Sequence, residues 1–166
     1  MNKAIHQKND FEGMRKAGHL AASTLDMLVD IVKPGVSTEE VDNKAFEFIN
    51  NSGGLIGPLF YKGFPKSVCT SINHVICHGI PSSRILESGD IVNIDVTVIL
   101  DGWHGDTSRM FPVGNISSKA QRLIDCTFEA MHKGIEEISP GKKLGDLGFA
   151  IQSFAEAQKY SVVRDF

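Results

Sequence analysis

The chain is short of paired cysteines, of long apolar runs and of any excess of basic charge, and each shortage closes off a class of protein. Cys69, Cys77 and Cys126 are odd in number and nowhere spaced Cys-x-x-Cys. Neither a disulfide framework nor a zinc knuckle is therefore indicated, and a reduced, cytoplasmic setting is the expectation. No apolar run approaches the ~20 residues a membrane helix needs. The opening Met1–Asp10 segment lacks the apolar stretch of a secretion signal. Lys and Arg number 17 against 20 Asp and Glu, a formal net charge of −3. That balance makes no electrostatic case for nucleic acid or an anionic membrane as partner. What remains is ordinary for a globular chain: 166 residues, 42% hydrophobic and 22% charged. One domain spanning 1–166 is expected, burying roughly 70% of its unfolded surface.

Helical and extended patterns alternate along the chain. Asn9 or Asp10 can cap a helix carrying Met14, Ala17, Ala21, Leu25, Leu28 and Ile31 at spacings of three and four, stopped by Lys33-Pro34-Gly35. Ser37-Thr-Glu-Glu40 reads as a capping box opening a second helix with Val41, Ala45, Phe48 and Ile49. A β-rich stretch follows from about Leu55 to Val113. A third helix is predicted through Ala120, Leu123, Ile124, Thr127, Phe128, Met131, Ile135 and Ile138, and a fourth from Asp146 to Tyr160. The two helical sections resemble each other: Pro34-Gly35 matches Pro140-Gly141, and Val41 and Phe48 match Leu147 and Phe154 at the same offset. If this is a duplication, Ser161–Phe166 reads as the opening of a further strand.

The most informative stretch is Ile91–Phe111. Asp101-Gly102 between two β-rich segments signals a two-residue type I′ turn, since both residues tolerate positive φ. Pairing outward from that turn sets Asp106 opposite Thr97 and Asp95 opposite Ser108. Both carboxylates then leave one sheet face as diagonal neighbours, about 7–8 Å apart at the backbone. Two like charges on a covered face are costly unless a cation or a shared proton neutralises them. Oxygen ligands so placed suit a divalent ion, whereas a solvated hairpin face would need no function. Ile91, Val92, Ile94, Val96, Val98 and Ile99 suggest a strand covered on both sides, which favours a site. Thr97 is then placed to donate a hydrogen bond to a ligand carboxylate. With a tight turn at Asn73-His74, Cys69 is expected to oppose His78 at a strand end. Trp103, His104, Arg109 and Lys142-Lys143 carry no distinctive chemistry on pattern alone.

Tyr61-Lys-Gly-Phe-Pro-Lys-Ser-Val-Cys69, Ser71-Ile-Asn-His-Val-Ile-Cys-His-Gly-Ile-Pro81, Gly89-Asp-Ile-Val-Asn-Ile-Asp-Val-Thr97 and His104-Gly-Asp-Thr-Ser108 together resemble the type I methionine aminopeptidases. The resemblance extends over essentially the whole chain. It implies an α+β, pita-bread fold of two pseudo-symmetric halves, here the N-terminal half plus the helices of the second. It also implies a site with two divalent metal ions, whether Co, Mn, Fe, Zn or Ni. Asp95 matches the aspartate that binds one ion through both oxygens, and Asp106 the one that bridges both. His78 matches the histidine that contacts substrate and stabilises charge at the scissile amide. Tyr61, Phe64 and Cys69 match the wall of the methionine pocket, although on residue type alone all three read as core. Phe64 stands where some relatives carry tyrosine.

The implied function is removal of the initiator methionine from nascent polypeptides, at or near the ribosome, when the second residue is small. The implied enzyme is a cytoplasmic monomer. A histidine in a Cys-Gly-His-Gly motif and two later glutamates complete the family's ligand set, and none is present in these 166 residues. The resemblance thus implies a C-terminally incomplete domain. An Xaa-Pro aminopeptidase or dipeptidase of the same fold is the rival enzyme, and a noncatalytic relative the rival of another kind. Two carboxylates alone make a weak metal site, since divalent ions here take four to six ligands. The purified 166-residue chain is therefore expected to release little or no methionine from Met-Gly-Met-Met. Robust, chelator-reversible release would overturn that expectation.

Overall fold

The computed structural model describes residues 6–164, which group into two compact units, one up to Ile116 and one from Ser117. In the first, α1 (Lys8–Leu28) and α2 (Thr38–Asn51) precede a four-stranded antiparallel sheet of β1 (Leu55–Ile56), β2 (Cys69–Ile72), β3 (Ile91–Leu100) and β4 (Trp103–Pro112). The second holds α3 (Ser118–Glu136) and α4 (Leu144–Ala157). Among the described residues no helix is long and apolar enough to cross a membrane.

The first helix starts earlier than its capping residues suggest. Gln7 is the N-cap, and Asp10, at the third helical position, accepts the Gln7 N–H at 2.7 Å. The helix stops at Leu28 rather than at Lys33-Pro34-Gly35. The N–H groups of Val29 and Ile31 bond three residues back, to the carbonyls of Asp26 and Leu28, and this tightening ends the α-helical ladder. Met14 is exposed, while Ala17, Ala21, Leu25 and Leu28 are buried. The second helix opens on the expected capping box: Ser37 Oγ accepts from the Glu40 N–H and the Glu40 carboxylate accepts from the Ser37 N–H.

β3 is the axis of the sheet. It pairs β4 along its whole length on one side, and on the other it pairs β2 near its start and β1 near its end. Val92, Ile94, Val96 and Val98 are fully buried and meet Leu20, Ala21, Leu25 and Leu28 of α1 and Val41, Ala45 and Ile49 of α2 in one core. Each such aliphatic contributes about 1.5–3 kcal/mol on burial. Gly105 of β4 lies directly under the Ala17 carbonyl, where any side chain would collide with the helix backbone. The expectation of a strand covered on both faces is corrected. Asn93, Asp95, Thr97 and Ile99, on the opposite face, are only half-buried.

Buried acids pin the connections that lead to this open face. Asp42 accepts the N–H groups of Ser67 and Val68 at 2.7 and 3.1 Å, which sets the entry to β2. Asp90 accepts from Asn73 Nδ2 at 2.8 Å, from the Glu87 N–H at 3.0 Å and from Arg84 at 3.1 Å. Asn73 Oδ1 in turn accepts the Ile91 N–H at 3.0 Å, so both ends of the 73–90 segment are tied to the start of β3.

The tight turn at Asn73-His74 forms, the Val75 N–H bonding the Ile72 carbonyl at 3.0 Å, but no strand follows it in the 73–90 segment, so the expected pairing does not continue. Asn73 has φ +52°, and the Thr70 N–H bonds the Gly79 carbonyl at 2.7 Å, a register that does not put Cys69 opposite His78. Cys69 is instead opposite Asp95 of β3. In the second unit the broad apolar stripe predicted for α3 is not its packed face. Cys126, Ala130 and Gly134 are its buried residues, with Ile151 of α4 against Gly134, whereas Phe128 is 62% exposed. Residues 161–164 carry no strand, and the remainder of the expected strand lies outside the described residues.

Replacing Asp42 with Ala leaves two buried N–H donors without an acceptor. It is expected to lower stability by about 1–3 kcal/mol, measured as a fall in the urea midpoint.

Candidate metal centre and substrate cleft

The open face of β3 and β4 forms the floor of a cleft of about 790 Å³. Asp101 and Gly102 both have positive φ, +51° and +82°, as a type I′ turn requires. The turn sets the ladder so that Thr97 opposes Asp106 and Asp95 opposes Ser108. Asp95 and Asp106 are thus diagonal neighbours on the cleft floor, as the sequence predicts. The Thr97 hydroxyl donates to Asp106 Oδ1 at 3.0 Å, leaving Oδ2 without that restraint and fixing the carboxylate's orientation.

The walls come from two loops. His78 has φ +55°, a left-handed conformation that costs a non-glycine residue energy. It is held there from both sides: the Gly79 carbonyl accepts from the Thr70 N–H, and the Gly79 N–H donates to the buried Ser71 Oγ at 3.1 Å. Gly79 lies flush on the Thr70 carbonyl, where a side chain could not fit. The other wall is the 57–64 loop, whose Gly57 packs directly against Thr97 and donates its N–H to the Thr97 carbonyl at 3.0 Å. A single 3₁₀ turn at Tyr61–Gly63 brings Tyr61 and Phe64 to the cleft.

All six predicted residues, Tyr61, Phe64, Cys69, His78, Asp95 and Asp106, line this one cleft. Their burial differs from the core reading of the aromatics, since Tyr61 is 66% exposed. Ile80 and Lys62, which the sequence did not single out, share the cleft, as does His104, which hairpin parity places on the face of Asp106 but to which no role was given. For His104 a signal existed, because it lies two residues from Asp106 and hence on the same face.

Burial, and after it the charge of Asp106, push the Asp95 carboxyl above the usual carboxylate range, with His78 pulling the other way. The Cys69 thiol is pushed up to about 11, first by burial and then by Asp95. It is therefore neutral at physiological pH and serves as an apolar, polarisable wall rather than a nucleophile.

Among the described residues neither Asp95 nor Asp106 forms an ion pair. Two unneutralised carboxylates with free oxygens suit a hard or borderline divalent cation. As a pair they offer fewer ligands than such an ion takes. Among the described residues no group of three or more His, Cys, Asp or Glu side chains converges on one point.

Two carboxylates and a histidine thus line one cleft with apolar walls, the donor types a metal-dependent site draws on. Comparison with known proteins agrees. Metallopeptidase family M24 matches residues 12–166, and the chain belongs to that family. The methionine aminopeptidase of Rickettsia prowazekii is 59% identical over 166 residues, which are all of this chain and 64% of that protein. The crystal structure of a methionine aminopeptidase from the same organism superposes with a TM-score of 0.97 at 60% identity, covering 98% of this chain and 66% of that one. The chain thus spans about two thirds of the length of these relatives. An Xaa-Pro dipeptidase from Bacillus anthracis shares the fold with a TM-score of 0.83 at 21% identity, over 94% of this chain and 42% of its own. The α+β pita-bread fold is therefore the fold of this chain.

Replacing Asp106 with Asn removes the like charge beside Asp95 while keeping an oxygen for Thr97. Asp95 has its pKa raised by folding, so ionising it works against the metal-free fold above the usual carboxylate range. The variant is expected to have a higher urea midpoint than the parent at pH 7. That gain should fade as pH falls through the raised Asp95 pKa towards the ordinary carboxylate value, because Asp95 then protonates in the folded state and its charge no longer opposes folding.

Proposed function

We propose that this chain carries the substrate cleft and one edge of the metal centre of a methionine aminopeptidase, which removes the initiator methionine when the second residue is small. The observation that carries this reading is the convergence of Asp95, Asp106, His78, Tyr61, Phe64 and Cys69 on one cleft. The 59% identity to a methionine aminopeptidase supports it.

Asp95 and Asp106 are the proposed ligands for two divalent ions, from among Co, Mn, Fe, Zn and Ni. When bound, such ions supply Lewis acidity at the scissile carbonyl. The chain's own residues do the rest of the work assigned here. Thr97 holds Asp106 in one orientation, so the carboxylate is already in place for a cation. His78, fixed by the Thr70 and Ser71 contacts, donates a hydrogen bond where negative charge develops on the amide. Tyr61, Phe64 and Cys69 pack around the methionine side chain, and the neutral Cys69 thiol suits a thioether. The proposed substrates are nascent polypeptide N-termini met in the cytoplasm, at or near the ribosome, by a monomeric enzyme.

An Xaa-Pro peptidase remains the alternative on the same fold. Its support is a likeness at 21% identity, which speaks for the fold alone.

A chimera tests the proposal. Joining these 166 residues to the remaining third of the Rickettsia relative is expected to yield an enzyme that releases methionine from Met-Ala-Ser but not from Met-Leu-Ser. Asp106→Asn in the chimera is expected to lower the rate by at least about 100-fold, and His78→Ala to lower kcat by about 10²–10³. Cleavage of Xaa-Pro peptides in place of Met-Ala-Ser would establish the alternative.

A further inference from the structure

The cleft is electrically sorted in a way that the proposed chemistry leaves unused. Its floor carries Asp95 and Asp106, while its wall carries Lys62, the one lysine or arginine side chain among the residues that line it. Lys66, four residues on, is held by Glu39 at 2.7 Å and lies 4.0 Å from Asp42. Lys62 has no such carboxylate among the described residues. Its ammonium instead sits 5.5 Å from the centroid of the Tyr61 ring, a cation–π contact that lays the arm along the cleft wall.

The backbone holds this arm in place. Phe60 and Lys62 flank Tyr61 with φ of +67° and +48°, both in the left-handed region that non-glycine residues avoid. The loop closes on itself around them: the Phe60 N–H bonds the Phe64 carbonyl at 2.8 Å, and the Phe64 N–H bonds the Tyr61 carbonyl at 3.0 Å. Strain that surrounding bonds over-determine in this way collects at ligand clamps.

We propose that Lys62 is a specificity residue, selecting peptides that carry an acidic side chain downstream of the second residue. This rests on the aminopeptidase reading above. A peptide entering with its amine towards the floor carboxylates runs outward along the wall, and a carboxylate beyond the second residue then meets the one free cation lining the cleft. The attraction is between partly solvated charges, so it is modest and screened by salt.

The test is an NMR titration of the 166-residue chain with two amidated peptides, Met-Ala-Asp-Asp and Met-Ala-Asn-Asn, and with the N-acetylated form of each. The acidic peptide is expected to bind about two- to fivefold tighter at low ionic strength. That preference should disappear at about 0.5 M salt. It is also expected to persist in Lys62→Arg and to be absent in Lys62→Met, with both variants keeping the parent's melting temperature. Equal binding of the two free peptides by the parent chain, or a preference that survives Lys62→Met, overturns the role of Lys62 and leaves the aminopeptidase reading standing. Binding of the acetylated peptides as tight as that of the free ones, or binding of none, overturns both.

Discussion

The register of one hairpin governs everything the cleft can do. Side chains alternate across a strand with a period of two, so a one-residue slip between β3 and β4 would send Asp106 into the helix-packed core and leave Asp95 alone. The Asp101-Gly102 turn prevents that slip locally, because both residues accept the positive φ that the turn demands. The core prevents it globally. Val92, Ile94, Val96 and Val98 must stay under α1 and α2, and Gly105 must stay beneath Ala17, where nothing larger fits. Apolar burial on one face therefore dictates the carboxylate geometry on the other.

That geometry is unfavourable in the absence of a cation. Folding brings Asp95 beside Asp106 and partly out of water, and the rise in the Asp95 pKa is the signature of both effects. The fold supplies more restraint around this pair than stability alone requires. Thr97 orients Asp106, Gly57 presses the neighbouring loop onto Thr97, and Ser71 and Thr70 clamp Gly79 so that His78 stays in a left-handed conformation. Small residues at contact points and strained residues at the rim are how a rigid sheet presents mobile side chains in a preset arrangement.

Local chemistry was legible along the chain wherever it was self-contained. The Ser37–Glu40 capping box, the type I′ turn and the diagonal placement of the two aspartates all follow from bonds within a few residues of each other or across one tight turn. The Thr97–Asp106 hydrogen bond followed from the same register. The course of the 73–90 segment was not legible, because its ends are tied by Asn73, Arg84 and Asp90 at the start of β3, contacts that no local pattern displays.

The sequence by itself determined the pairing register, the identity of the carboxylates and the motifs that mark family M24, because each is encoded in short-range spacing. Only the tertiary structure decided that His78, Cys69, Tyr61 and Phe64 line a single cleft with those carboxylates, and that Lys62 stands on its wall without a carboxylate partner among the described residues. Except for Cys69, which opens β2, loops carry these residues, and a loop's path is set by distant anchors such as the Asp42 and Asp90 carboxylates rather than by its own periodicity. Charge sorting within the cleft is likewise a property of assembled space, since Asp95 of β3 and Lys62 of the 57–64 loop are remote in sequence and share a cleft only once the loop packs on the sheet.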